Sequence, residues 1–202
     1  MRGGKFTLSD NLKDVLVGLL LGDLSAEKQS LNVRFKFAQG ILHADYIDYL
    51  YELFQIFCPV SPKIEISKPH WRTGKNYSSK YFRTYSLPCF KELFDLFYPD
   101  GNKIIPLNIG DLLNPLGLCF WICDDGSFCK VRSIITLCTE CFTLEEVTLL
   151  ANTLNTKWDL KCYINKTNNG GARILIPKKS IPAVQSLLKD IMPSMMRHKI
   201  GL

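Results

Sequence analysis

The sequence predicts an α+β fold duplicated about a pseudo-two-fold axis, each half running α-β-β-α-β-β-α. Three observations predict it. Val15–Leu24 (V-L-V-G-L-L-L-G-D-L) is an apolar run broken by the carboxylate of Asp23, and Leu118–Gly126 (L-C-F-W-I-C-D-D-G) repeats the design and delivers Asp125. After each run the same succession of alternating and helically spaced segments recurs. The letters also repeat: Phe90–Pro99 (F-K-E-L-F-D-L-F-Y-P), with Lys103-Ile104 following, has a counterpart in Val184–Pro193 (V-Q-S-L-L-K-D-I-M-P), with Lys199-Ile200 following. The halves are therefore residues 1–104 and 116–202, joined by a linker, 105–115, that holds Pro106, Gly110 and Pro115.

Each element follows from its own pattern. Ser9 or Asp10 can cap a helix that runs to about Leu24. A helix that is apolar almost all round requires burial, and Gly18 and Gly22 share one face and admit a second backbone. Leu31–Ala38 alternates, with Val33, Phe35 and Phe37 inward and Asn32, Arg34 and Lys36 outward. His43–Phe57 carries Tyr46, Leu50, Leu53 and Phe57 at helical spacing, and Pro59 follows its end. Lys63–Lys68 alternates with Ile64 and Ile66 inward and pairs with Tyr81–Ser86, across a polar loop, His70–Ser79, expected to order only against a partner. Phe90–Tyr98 is helical and stops at Pro99. In the second half, strands Ser127–Arg132 and Ile134–Thr139 precede a helix from Thr143 to about Asn155, whose Glu146 stands at capping-box spacing. Leu160–Asn165 and Ala172–Ile176 form a hairpin around N-N-G-G, and Ser180–Ile191 is the last helix.

Charge is segregated more sharply than its total suggests. The chain has 202 residues, a formal charge of +6 and 47% hydrophobic residues, ample for a core. Residues 63–83 hold six Lys/Arg against the single acid Glu65, and 161–179 hold five against none, whereas 41–57 has three acids and no Lys or Arg. Basic charge lies in strand-like segments, so a surface made of the strands is positive and calls for an anionic partner. The eight dispersed cysteines, with no secretory pattern ahead of them, read as free thiols in a reducing compartment. Cys138-x-x-Cys141 has zinc-like spacing but lacks a second pair. The Val15–Leu21 run is far too short to span a bilayer, so a soluble chain with no membrane partner is expected.

The paired apolar helices ending in Asp23 and Asp125 resemble the LAGLIDADG homing endonucleases, and specifically the single-chain, two-motif branch encoded by group I introns. Gly18-Leu-Leu-Leu-Gly-Asp23 fits the first motif closely. Phe120-Trp-Ile-Cys-Asp-Asp-Gly126 fits a variant second motif in which an aromatic and an aspartate replace the two packing glycines, so the helix pair cannot pack symmetrically. Further echoes span the chain: His43-x-x-Tyr46, the Thr143-Leu-Glu-Glu helix, Asn102-Lys103-x-Ile105-Pro106, and Met196-Arg-His-Lys199-Ile200.

The resemblance implies that the two motif helices form the interface between the half-domains and that Asp23 and Asp125 are catalytic metal ligands. The backbone of Gly22 and Leu24 offers further oxygen. The implied cofactor is Mg²⁺, with Mn²⁺ able to substitute and Ca²⁺ binding without supporting cleavage; hard carboxylate ligands suit such ions. Lys103 and Lys199 match a basic residue the family places near each active site, where it can stabilise phosphoryl charge; Arg197 and His198 crowd the second. Gln39, and more weakly Thr139, are candidates for ordering water, and Asp124 reads as structural. The strands would form a DNA-binding saddle. Its candidate contacts are Asn32, Arg34, Lys36, Lys63, Glu65, Lys68, Arg72, Lys80 and Arg83 in the first half. In the second they are Lys130, Arg132, Lys161, Tyr163, Asn165, Lys166 and Arg173. The implied activity is a double-strand break at a long DNA site, one phosphodiester per strand with short 3′ overhangs, promoting intron mobility. The alternative is an RNA-binding maturase that assists splicing of a group I intron. The partners implied are double-stranded DNA and, for a maturase, intron RNA; the protein is expected to be a monomer. Without a transit peptide it is expected inside an organelle, mitochondrion or chloroplast, or a prokaryote.

Overall fold

The computed structural model describes residues 6–69, 71–72 and 74–202. The order is α1 (Asp10–Leu21), β1 (Ser25–Gln29), β2 (Asn32–Gly40), α2 (Ala44–Phe54), β3 (Lys63–Ile66), β4 (Ser78–Arg83) and α3 (Lys91–Phe97). It continues with α4 (Ile109–Leu112), α5 (Pro115–Asp125), β5 (Gly126–Cys129), β6 (Ile134–Cys138), α6 (Leu144–Trp158), β7 (Tyr163–Lys166), β8 (Ala172–Ile176) and α7 (Ile181–Leu188). The α-β-β-α-β-β-α layout recurs, with the short α4 between the copies. Each half builds an antiparallel four-stranded sheet, ordered β1-β2-β4-β3 and β5-β6-β8-β7.

The chain divides into two compact units, one of residues up to Leu12 with 23–95 and one of 13–22 with 96–202. This partition differs from a simple cut at 104/105, because most of α1 packs with the second unit. The segment read as a linker is also built in. Ile105, Ile109 and Leu113 are buried, and the Ile105 amide donates to Glu146 Oε1 at 2.8 Å.

In the first unit, Val33, Phe35, Phe37 and Phe82 turn one sheet face inward. Helix α2 covers that face with Tyr46, Ile47, Leu50 and Phe54; Phe37 stacks on Phe82 at 4.4 Å and meets Phe54 at 5.1 Å. Each such ring or branched side chain contributes about 1.5–3 kcal/mol by leaving water. The other face is open. One expectation fails here: Ile64 and Ile66 are 61% and 65% exposed. β3 is the edge strand, and α2 packs against β2 and β4, so the helix-side residues of β3 have nothing over them. The loop read as 70–79 is described except for His70 and Thr73, which lie outside the described residues.

The second unit repeats the arrangement with Ile135, Leu137, Ile174 and Ile176 inward, packed by α5 and α6. α6 begins on the expected capping box, with Thr143 Oγ1 accepting from the Glu146 amide and Glu146 Oε2 accepting from the Thr143 amide at 2.8 Å. It ends at Asp159, whose φ of 52° turns the chain out. α5 starts on Asn114, whose Oδ1 accepts from the Gly117 amide at 2.9 Å, and Pro115 occupies its first turn.

Candidate active site and nucleic-acid interface

The site is built from the ends of α1 and α5, which cross within the second unit. Val15–Leu21 and Gly117–Cys123 are all buried, Trp121 completely. The crossing is possible because of glycine. A Cβ on Gly18 would sit 2.0 Å from the Gly117 carbonyl oxygen, and one on Gly22 would sit 2.5 Å from Asp124 Cβ. The pairing is asymmetric, as the variant motif implies. Phe120 holds the place corresponding to Gly18, and the close approach is supplied instead by Gly117, one turn earlier. Gly117 escaped the sequence reading because it lies outside the motif; its spacing of seven residues from Asp124, two helical turns on one face, is the signal that could have found it. Asp124 is a packing residue here, its Cβ against Gly22.

Each half then places a lysine in the same way. Lys103 Nζ donates to the carbonyl of Gly22 at 2.6 Å, and Lys199 Nζ donates to the carbonyl of Asp124 at 3.0 Å. In both cases the acceptor is the residue immediately before the motif aspartate. Carbonyls at a helix C-terminus are unsatisfied within the helix and carry its negative end, so an ammonium there is favourable. The Gly22 carbonyl, an expected metal ligand, is thus engaged by the Lys103 ammonium, while Leu24 is buried. Among the bases near the second site it is Lys199 that reaches the helix end; Arg197 is exposed, and His198 turns Nδ1 to the Met195 carbonyl at 2.9 Å.

The aspartates themselves differ in surroundings. Asp23 is exposed, and its Oδ2 accepts from Gln39 Nε2 at 2.8 Å, so Gln39 sits on the carboxylate. Thr139, at the matching place in the second half, is fully buried and donates Oγ1 to the Ala172 carbonyl at 2.7 Å. Its short side chain is spent inside the sheet, which removes it as a counterpart of Gln39. Asp125 is half-buried, and its charge is felt by two thiols. Burial first, then the Glu140 and Asp125 carboxylates, push Cys138 up; burial first also raises Cys141, against the Lys103 ammonium that lowers it. All eight cysteines are free, and no cluster of three or more His, Cys, Asp or Glu able to hold a metal occurs among the described residues.

The open sheet faces gather some of the expected DNA contacts and scatter others. On the first sheet Asn32, Arg34, Lys36, Lys63, Glu65 and Arg83 point to the open side, by alternation with Val33, Phe35 and Phe82. Arg34 is held there by Glu27 (Nε to Oε2, 2.8 Å). Lys80 is not on that face: it alternates to the helix side and donates to Asp48 at 2.6 Å. Lys68 and Arg72 lie in the β3–β4 loop, the Arg72 guanidinium 4.4 Å over the Trp71 ring. On the second sheet only Tyr163, Asn165 and Arg173 of the candidates reach the open face, Arg173 bound to Glu140. Lys130 and Arg132 occupy the β5–β6 turn, Lys161 precedes β7 and pairs with Asp159, and Lys166 ends β7 on the helix side. The uniformly positive strand surface read from the sequence is therefore a property of the first sheet. In the second, the bases sit at the turns.

The profile of the LAGLIDADG DNA endonuclease family matches residues 13–184. The chain is 30% identical over 200 residues to the cytochrome b mRNA maturase bI2 of Debaryomyces hansenii, spanning 96% of this chain and 75% of that protein. It is 27% identical over 211 residues to the DNA endonuclease I-ChuI of Chlamydomonas applanata, spanning 96% of each. Among solved structures it is similar to the homing endonuclease I-WcaI bound to its DNA recognition sequence, with a TM-score of 0.89 and 26% identity over 96% of this chain and 88% of that one.

Proposed function

The chain belongs to the LAGLIDADG DNA endonuclease family, and from that premise we propose that it is a site-specific homing endonuclease that hydrolyses one phosphodiester on each strand of a DNA target. The observation that carries this reading is the repeated helix end. Each half presents an aspartate directly after a carbonyl held by its own lysine, Gly22–Asp23 with Lys103 and Asp124–Asp125 with Lys199. A protein that only bound nucleic acid would have no use for a carboxylate at the negative end of a buried helix, where it is unfavourable.

Mg²⁺ fits this donor set because it keeps several waters and takes one or two carboxylates together with phosphate oxygens, rather than a closed protein cage. When bound, the ion supplies an activated water and charge stabilisation for the departing 3′-oxygen. Gln39 orients the Asp23 carboxylate and orders water beside it. Lys103 and Lys199 place a fixed positive charge where the phosphorane charge develops. Because the two halves are carried on one chain, the monomer supplies both active centres. No helix among the described residues is long and apolar enough to cross a membrane. Production inside the organelle, or prokaryote, that harbours the intron accords with this reading.

Similarity to a cytochrome b mRNA maturase favours a second reading, assistance to splicing of a group I intron. Both are tested with the purified chain. With Mg²⁺ and duplex spanning the uninterrupted insertion site, the endonuclease reading expects a double-strand break with short 3′ overhangs. Stimulated splicing of the intron transcript without any cutting of that duplex would replace it by the maturase reading.

A further inference from the structure

The two open sheet faces correspond position by position, and their chemistry does not. Ser25 pairs with Lys36 in the first sheet, and Ser127, equally placed after its aspartate, pairs with Thr136 in the second. The register then aligns Arg34 with Ile134, Arg83 with Leu175 and Lys63 with Asn165. Every base on the first face is replaced by a side chain that is neutral, and three of the four replacements end in methyl groups. On the first face Lys36 and Arg83 stand 5.4 Å and 5.1 Å from the Tyr81 ring, poised as cationic donors. On the second, Leu175 is 6% exposed and forms a floor between Thr136 and Tyr163, while Ile134 and Thr136 stand partly open. Arg173, the one base on the strands of that face among the described residues, is paired with Glu140, as Arg34 is with Glu27 on the first; Lys36, Lys63 and Arg83 have no such counterpart on the second face.

We infer that the two halves read different base chemistries: the first a guanine-bearing half-site, the second an A·T-rich half-site recognised through thymine methyl groups. The inference rests on the endonuclease reading, with each open face in a major groove. Arg and Lys donate to guanine O6 and N7, the methyl of Thr and other apolar groups contact the C5-methyl of thymine, and Asn pairs with adenine. Asn165 lies beside Arg173 on the second face and suits adenine. Phosphate contact in this half falls to the turn residues Lys130 and Arg132, which leaves the sheet centre free to discriminate apolar surface. A neutral face gains little from guanine, whose groove edge offers only acceptors.

The test uses the full chain and a duplex selected by it from a randomised library, with binding measured in Ca²⁺. Thymines are replaced by deoxyuridine, one half-site at a time, which deletes the methyl and keeps the pairing. Burial of one methyl corresponds to about a fourfold change in affinity. The expected result is about a fourfold rise in Kd per contacted thymine in one half-site and no change in the other. Thr136→Ser, which keeps the hydroxyl, should shrink the uracil penalty in that half-site alone. Arg83→Ala should relax guanine preference in the opposite half-site. Equal uracil penalties on both sides, or none, or a guanine requirement lost with Thr136→Ser, would overturn the inference while leaving DNA cleavage intact. Failure to select any duplex would instead overturn the endonuclease reading itself.

Discussion

Lys103 and Lys199 are the residues whose geometry says most about chemistry, because each donates its ammonium to the backbone carbonyl just before a motif aspartate. That contact fixes a long flexible side chain at the C-terminal end of each motif helix at modest cost. Replacing either lysine by methionine keeps the aliphatic stem and removes the charge. Cleavage of the strand served by that half should slow by about a hundredfold, the scale of losing one stabilising donor, with little change in DNA affinity; single-turnover kinetics on strand-labelled duplex checks it. The matched positions of both lysines were legible in the repeated tail of each half. Their acceptor was not, since nothing in a sequence says which carbonyl a lysine will reach. The same holds for Thr139, which matched Gln39 by position and failed by length. The cysteines give a second expectation at this scale. Burial pushes Cys58 and Cys162 up to about 12, so they stay protonated and unreactive near pH 8, whereas hydrogen bonds from Arg132 lower Cys129. Mass-spectrometric mapping of alkylation should find Cys129 modified first and at the lowest pH. Cys138 and Cys141, raised by burial, should follow, and Cys58 and Cys162 should remain unlabelled until unfolding.

At the scale of elements, the crossing of α1 and α5 is where packing is least forgiving. Gly18→Ala would drive a methyl to 2.0 Å from the Gly117 carbonyl oxygen, backbone that cannot step aside. It should cost about 2–3 kcal/mol. Gly117→Ala meets its nearest atom, the Asp14 carbonyl oxygen, only at 3.1 Å and should cost clearly less. Denaturant midpoints of the two variants, compared with the wild type, give the ranking. Elements with strong periodicity were readable: the capped α6, the β7–β8 hairpin and the alternating β2. β3 was misread because alternation names two faces without saying whether a helix covers either. The 105–115 segment was misread because Pro and Gly suggested a tether, while Ile105, Ile109 and Leu113, the residues that bury it, are spaced like one helical face.

At the scale of the whole molecule, the two halves share the motif aspartates and the lysines and differ in much of what surrounds them. Gly18 corresponds to Phe120 and Gln39 to Thr139, and the basic face of the first sheet corresponds to a largely neutral one on the second. That pattern was half visible: the repeat and the twin carboxylates stand in the sequence, but which residues share an open face needed the strand register. It also separates two roles. On the proposed function, residues that serve the scissile bonds repeat in both halves, whereas residues that would meet bases differ between them. The central claim is that Asp23 and Asp125 each serve one strand. It is tested most directly by adding Asp23→Asn and Asp125→Asn, with Mg²⁺, to a supercoiled plasmid carrying the target. Both variants should retain DNA binding and lose linear product, with nicked circles as the furthest product. Undiminished linearisation by either variant would contradict the account.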